Sequence, residues 1–286
     1  MPERWLAIGG ELVPEEEARV PATGGVLYGY GLFETMRAYA GRTAQVEAHE
    51  ARLRDGARAL GLAVPFDAAA LRHAIDTVLH RNGLADAAAA VRLTLEGAPP
   101  AAAEDAPAPA RWFVTARALT QYPESLYERG ASAIGSAIHR NETSPLSRLK
   151  TLNYLDNLLA RREARRHGVD EAILLNTQGM VAEGSASNIF IVRGRQLCTP
   201  PIEAGALPGI ARAAVLALAP SLGLDPIEAP VTLPDLRAAD EAFLTNSLME
   251  VLPLSRLDGA PIASGEPGAV ASRLRAEYRT QATTGK

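Results

Sequence analysis

Apolar positions recur along this chain with two different periods, and the changes of period outline its elements. Trp5 to Val13 reads as a short hairpin, and Leu32 to Tyr39 as a strand closed by a Gly41-Arg42 turn. Between them, Gly24-Gly25-Val26-Leu27-Tyr28-Gly29-Tyr30-Gly31 predicts a turn where the backbone bends sharply or approaches something closely. Helical spacing over Ala48 to Leu60 ends at Gly61, a C-cap, and a second helix over Ala68 to Arg81 stops at Asn82-Gly83. Val91 to Leu95 and Arg111 to Ala118 alternate as strands, separated by an Ala- and Pro-rich loop from Gly97 to Ala110. Leu119 to Tyr127, around Pro123, reads as a connection.

The second half opens with an amphipathic helix over Thr151 to His167 that stops at Gly168. Glu171 to Asn176 and Met180 to Glu183 form a hairpin about Thr177-Gln178-Gly179, and Asn188 to Val192 and Gln196 to Thr199 are strands about Arg193-Gly194-Arg195. Gly209 to Leu222 predicts a helix entered from Pro208, Ala242 to Thr245 and Val251 to Leu254 later strands, and Gly268 to Arg279 a closing helix. Short strands mixed with helices, with no internal repeat, argue an α+β fold. A length of 286 residues exceeds what one core serves. The expected division is a smaller N-terminal α/β domain over 1–118, a linker over 119–128 and a larger domain over 129–286.

Composition narrows the functional classes. Apolar residues at 47% and charged residues at 22% describe an ordinary globular chain, and a net charge of −4 with no basic stripe argues against a nucleic-acid partner. The start, Met1-Pro2-Glu3-Arg4-Trp5, lacks a signal-peptide pattern, and no apolar stretch is long enough to cross a bilayer, so a cytoplasmic protein without a membrane partner is expected. A single cysteine, Cys198, suits a reducing compartment and reads as a packed thiol at a strand end. The histidines show no ligand spacing, so no metal is expected.

Of 29 basic residues only two are lysines, Lys150 and the terminal Lys286. A guanidinium keeps its proton, whereas an ε-amine shifts its pKa readily and forms Schiff bases. A chain that uses arginine nearly everywhere and keeps one internal lysine has a candidate for amine chemistry at Lys150.

The neighbours of Lys150 carry a resemblance. Lys150-Thr-Leu-Asn-Tyr-Leu, Asp170-Glu-Ala-Ile-Leu-Leu, Val181-Ala-Glu-Gly-Ser-Ala-Ser-Asn-Ile-Phe190, Thr199-Pro-Pro and Ala206-Leu-Pro-Gly-Ile-Ala-Arg212 follow one another. With Tyr28-Gly-Tyr-Gly-Leu-Phe-Glu-Thr-Met-Arg37 and His49-Glu-Ala-Arg-Leu53 they resemble, over nearly the whole chain, the fold-type IV pyridoxal-phosphate enzymes. That family comprises branched-chain and D-amino-acid aminotransferases and aminodeoxychorismate lyase. The resemblance implies a β-barrel-like larger domain with helices, pyridoxal 5'-phosphate as cofactor, and a homodimer with active sites near the subunit interface.

It also implies roles. Lys150 would form the Schiff base with the cofactor aldehyde and move the Cα proton. Glu183 would face the pyridine nitrogen and keep it protonated, and Tyr154 would donate to the ring's phenolic oxygen. The helix start at Gly209, Ile210 and Ala211 would present backbone N–H groups to the phosphate, and Arg52 would grip it bidentately. Relatives usually carry Thr where this chain has Ala211, which predicts weaker anchoring by roughly 1.5–3 kcal/mol unless Ser247 or water substitutes. A second departure is Tyr30, where Asp is common.

Two features point to the lyase, which gives pyruvate and 4-aminobenzoate by β-elimination from aminodeoxychorismate. Thr245-Asn246-Ser247-Leu248-Met249-Glu250-Val251-Leu252-Pro253 looks like the lyases' segment, and Thr35, beside Phe33, aligns with a lyase threonine near the reacting centre. Against this, Glu96-Gly97 and an Ala/Pro run stand where some lyases are Arg- and Gly-rich, and Arg92 and Arg37 match arginines that grip an amino acid's carboxylate. The alternatives are an aminotransferase of branched-chain L- or D-amino acids with 2-oxoglutarate, and a catalytically silent dimer that binds the cofactor.

Overall fold

The computed structural model describes residues 4–19, 21–99, 106–120 and 122–284. Its chain forms two compact units, the first made of Met1–Thr120 with Leu149–Asn153, the second of Gln121–Arg148 and Tyr154–Thr284. Lys150 therefore belongs to the first unit, not to a continuous C-terminal domain beginning at 129.

In the first unit, β1 (Trp5–Ile8), β2 (Glu11–Pro14), β3 (Gly31–Tyr39), β4 (Arg42–Thr43), β5 (Ala89–Gly97) and β6 (Ala110–Ala118) make an antiparallel sheet in the order β2-β1-β6-β5-β3-β4. Alternation sends Leu32, Met36, Val91, Leu93 and Val114 to one face, where α2 (Val46–Ala59) and α3 (Ala68–Arg81) cover them with Leu53, Leu71 and Ile75. Each such side chain stabilises the unit by about 1.5–3 kcal/mol. Asp67 caps α3 by accepting from Ala70 N at 2.8 Å, which explains why its start was readable from sequence. Phe33, Thr35, Arg37 and Arg92 stand on the opposite face.

The second unit holds β7 (Ala131–Arg140), β8 (Glu171–Asn176), β9 (Val181–Gly184), β10 (Asn188–Arg193), β11 (Gln196–Thr199), β12 (Asp225–Glu228), β13 (Glu241–Asn246), β14 (Glu250–Leu257) and β15 (Ala260–Pro261). They form one mixed sheet, curled as a half-barrel, with parallel pairs β14–β7, β7–β8 and β11–β12. Its helices are α4 (Glu124–Arg129), α5 (Leu155–Arg166), α6 (Ile210–Leu218), α7 (Leu233–Arg237) and α8 (Ala269–Thr284). One core stacks Phe190 on Phe243 at 5.0 Å between ring centroids and includes Val215 of α6 and Leu274 of α8. Another seats α5 on the sheet through Ala160 and Ala164. Cys198 is buried and its thiol pushed up by that burial, consistent with a packing role. No helix among the described residues is long and apolar enough to cross a membrane.

Several elements differ from expectation. The glycine-rich run 24–28 forms a short helix, α1 (Gly24–Tyr28), ended by Gly29 in the left-handed region at φ 65°. The connection 119–128 contains most of α4, fixed by buried Leu126 and Tyr127. Thr151 to Asn153 are not helical, because backbone pairing to β3 claims Lys150 to Leu152 first. Of the loop 97–110, residues 100–105 lie outside the described residues. β7, β12 and α7 had no counterpart in the sequence reading.

Candidate active site

Lys150 owes its position to strand pairing. Phe33 N donates to Lys150 O at 2.9 Å and Leu152 N to Gly31 O at 2.9 Å, so the segment runs as an extra edge along β3. Gly31 permits this approach, since a Cβ there would collide with Leu95 O and the Leu152 side chain. The Lys150 Nζ lies 4.4 Å from the Phe33 ring centroid, and the Arg92 guanidinium carbon lies 3.8 Å from the same ring. Thr35 is the register partner of Arg92, and Arg37, stacked 4.7 Å from the Tyr39 ring, sits diagonally beside it across β3 and β5. Five expected residues thus share one face: Lys150, Phe33, Thr35, Arg37 and Arg92.

Arg52 lies on the helix-covered side of β3. Its Nε donates to Glu34 Oε1 at 2.8 Å and its Nη2 to Glu34 Oε2 at 2.5 Å, while His49 Nδ1 lies 2.7 Å from Oε2. Burial works to raise the Glu34 carboxyl, but the hydrogen bonds from His49 and Arg52 and the Arg52 charge overrule it and hold it at about 2. Burial pushes His49 down, and the charges of Arg52 and Lys150 add to that against the pull of Glu34. With the imidazole neutral, Nδ1–H donates to the carboxylate. Glu34 and His49 were not anticipated; their positions eighteen residues from Arg52 on the strand and three residues from it on the helix were the available signal.

In the second unit, Glu183 lies on β9 with its side chain 6% exposed. Its Oε2 accepts from Leu207 N at 2.9 Å, and its Oε1 is 3.2 Å from Arg140 Nη2, contacts that favour the anion. Tyr154, the N-cap of α5, donates its hydroxyl to Ser185 O at 3.2 Å, and the buried Asn157 donates to the same carbonyl at 2.9 Å. Burial, then the charges of Glu183 and Glu171, push the Tyr154 phenol up, so it stays a neutral donor. Donation to a ligand requires its proton to turn from Ser185.

Gly209 is the N-cap of α6 with no side-chain cap, so the first-turn N–H groups of Ile210 and Ala211 have no intrahelical acceptor. A Cβ at Gly209 would collide with Asn188 Oδ1. Ala211 is buried in the core that holds Phe190 and Val215. Asn246 builds the turn that presents Ser247: its Nδ2 donates to Ala186 O at 2.8 Å, and its Oδ1 accepts from Leu248 N at 2.8 Å and Met249 N at 2.7 Å. Tyr30 donates its hydroxyl to Leu60 O at 2.5 Å, a tether for the end of α2 that an Asp there would not provide. Asn157 and Arg140 were not anticipated; Asn157, three residues beyond Tyr154 at helical spacing, was the readable sign.

A family model described as amino-transferase class IV matches residues 31–257, four-fifths of the chain. The chain belongs to the class IV aminotransferases. A Methanocaldococcus jannaschii protein provisionally named a branched-chain-amino-acid aminotransferase is 34% identical, with 96% of this chain and 95% of that protein covered. The aminodeoxychorismate lyase of Bacillus subtilis (strain 168) is 31% identical, with 96% of this chain and 94% of the lyase covered. Among solved structures, the T.th. branched-chain amino acid aminotransferase with pyridoxamine 5'-phosphate superposes with a TM-score of 0.87 at 32% identity, covering 100% of this chain and 95% of that one. The class IV, fold-type IV architecture expected from the motifs is therefore the one observed.

Proposed function

We propose that this class IV aminotransferase-family chain is a pyridoxal 5'-phosphate enzyme acting at the carbon that bears its substrate's amino group. When bound, the cofactor supplies an aldehyde that condenses with amines and a ring that takes up the electron pair left by a departing proton. The donor set suits it. Lys150 is the one internal amine. Glu183, kept anionic by Arg140 and Leu207 N–H, would hold the ring nitrogen protonated. The first turn of α6 would take the phosphate on backbone N–H groups, in space that Gly209 leaves open. Arg52, its Nε–Nη2 edge held by Glu34, would offer the other edge. Released by the substrate amine, Lys150 would take the Cα proton as a neutral base and return it at the next carbon.

Elimination to 4-aminobenzoate and pyruvate is the fate argued first. The observation that carries it is Thr35, which lies on the face of β3 and β5 that also presents Arg37 and Arg92. Amino transfer between an amino acid and 2-oxoglutarate is the second reading, favoured by the aminotransferase named above, and the same arginines would take that dicarboxylate. Purified protein reconstituted with pyridoxal phosphate and given aminodeoxychorismate should release 4-aminobenzoate and pyruvate with no keto acid added. Turnover of L- or D-amino acids with 2-oxoglutarate, and no aromatic product, would replace the first reading by the second. A colourless protein after cofactor addition would leave only a silent family member that dimerises.

We also infer a homodimer. α5 shows Leu155, Leu158 and Leu159 to solvent at 66%, 55% and 41% exposure and buries Asn157 and two alanines. Three exposed leucines on one helical stripe fit an isologous contact with a second copy. Light scattering should give twice the chain mass.

A further inference from the structure

Asp170 and Glu171 are neighbours in one of the motifs that follow Lys150, yet they are held in opposite ways. Asp170 takes a bidentate arginine: Arg129 Nη1 donates to its Oδ2 at 3.0 Å and Nη2 to its Oδ1 at 2.8 Å. Glu171, the first residue of β8, is 5% exposed and meets no cation in an ion pair among the described residues. Its oxygens are filled by neutral donors instead. Oε1 accepts from Ala172 N at 2.9 Å, from Ser185 N at 3.1 Å and from the Ser185 hydroxyl, and Oε2 accepts from the Ser187 hydroxyl at 2.9 Å. A buried carboxylate is costly unless such bonds surround it, so the carboxylate and its donors stand or fall together.

What Glu171 holds is the turn that leads from Glu183 to Asn188. Gly184 N donates to Ser187 O at 2.7 Å, and a Cβ on Gly184 would collide with the Ser187 hydroxyl, so the turn is wound closely about the carboxylate. With its hydroxyls and the Ser185 amide turned in to Glu171, the turn sends its carbonyls outward. Ser185 O accepts from the Tyr154 hydroxyl at 3.2 Å and from Asn157 Nδ2 at 2.9 Å, and Ala186 O accepts from Asn246 Nδ2 at 2.8 Å. Tyr154 and the turn bearing Ser247 are therefore both hung on a segment that Glu171 ties. The charge reaches Tyr154 as well: after burial and Glu183, Glu171 pushes its phenol up and keeps it a hydroxyl.

We propose that Glu171 is a positioning residue: its carboxylate ties Ser185 to Ser187 and so fixes the carbonyl that sets where the Tyr154 hydroxyl stands. The assignment rests on the reading that Tyr154 donates to the ring's phenolic oxygen; it deepens that reading by naming the group that holds the donor in place. Glu171 acts through Tyr154 and not on the substrate itself. A residue that only stabilised the fold would leave the spectrum of the bound ring where it is.

The test uses full-length protein loaded with pyridoxal phosphate, as wild type, Tyr154→Phe, Glu171→Ala, Glu171→Gln, and Tyr154→Phe combined with Glu171→Ala. The readout is the pH midpoint at which the visible band titrates. Tyr154→Phe should move that midpoint by about one pH unit or more, the worth of a hydrogen bond to a charged oxygen. Glu171→Ala should move it in the same direction by at least about half as much, and the combined variant no further than Tyr154→Phe alone. Glu171→Gln, which keeps an acceptor for Ser185, should lie between Glu171→Ala and the wild type. Should Glu171→Ala not fold, Ser185→Ala removes one donor of the same tie and takes its place under the same expectations. A midpoint unmoved in Glu171→Ala, shifts that add in the combined variant, or Glu171→Gln displaced as far as Glu171→Ala overturns the proposal and leaves the ring reading intact. No band in the wild type, or a midpoint indifferent to Tyr154→Phe, sinks the ring reading itself and the proposal with it.

Discussion

Helices α2 and α5 each carry residues of the candidate site, yet they complete themselves differently. On α2 every buried polar side chain finds its partner inside the chain: Arg52 and His49 close on Glu34, and Tyr30 ties the helix end through Leu60 O. On α5 the buried face is polar and satisfied at Asn157, but the outer face shows Leu155, Leu158 and Leu159 to solvent. A helix finished by its own chain is scaffold. One with three exposed leucines offers the stripe on which the proposed second copy would pack.

The comparison breaks most readily at Glu34. Replacing it with Gln leaves Arg52 without its counter-charge in a buried setting, and urea unfolding should show a loss of about 3–5 kcal/mol. The acid limb should change as well. The Glu34 carboxyl titrates near 4.5 when unfolded and about 2 when folded, so its stabilisation is complete above 4.5 and disappears as pH falls toward 2. His49, held below its ordinary 6.5, acts in the same direction: the folded chain prefers the neutral ring, and stability declines as pH drops below 6.5. In Glu34→Gln the stretch between 4.5 and 2 should flatten; an unaltered acid limb would show that α2 is not completed there.

Leu158→Asp tests the other side of the contrast. A buried leucine contact at a dimer centre is worth on the order of 2 kcal/mol or more, and the change to a charge should give a monomer by light scattering. A dimer unaffected by Leu158→Asp means the stripe faces only water. Asn157→Ala probes the inward face of the same helix. It removes one of the two donors to the Ser185 carbonyl, leaving Tyr154, and should cost about 1–1.5 kcal/mol in a thermal melt, with dimerisation retained. Smallest is Tyr30→Phe, which removes one hydroxyl from the end of α2 and should cost about 0.5–1.5 kcal/mol. A neutral result would make the tyrosine an incidental occupant.

Legibility from sequence followed local signals. α3 was readable to its ends because Asp67 caps it and Asn82-Gly83 stops it. β6 alternates cleanly, so its two faces were readable too. β7 escaped notice because Ala131-Ser-Ala-Ile-Gly-Ser-Ala-Ile-His-Arg140 is made of small residues with weak strand preference, and its place comes from parallel partners distant in sequence. α7 carries a capping box, Thr232 with Asp235, which was present in the sequence and passed over. Thr151 to Asn153 follow a helical pattern, but β3 captures them, a tertiary preference no window of sequence contains. For the site, the residues fixed by motif were named from resemblance alone. Glu34 and His49, which fix Arg52, and Asn157, which shares the Ser185 carbonyl with Tyr154, depend on contacts that only the folded chain reveals.

One measurement bears most directly on the chemistry assigned to Lys150. The protein should be incubated with pyridoxal phosphate, reduced with borohydride, digested and mapped by mass spectrometry. With two lysines in the whole chain, the result is unambiguous: the account predicts the pyridoxyl adduct on the peptide containing Lys150, bleaching of the visible band on reduction, and neither in Lys150→Ala. An adduct confined to Lys286 or the N-terminal amine, with Lys150 unmodified, would contradict it.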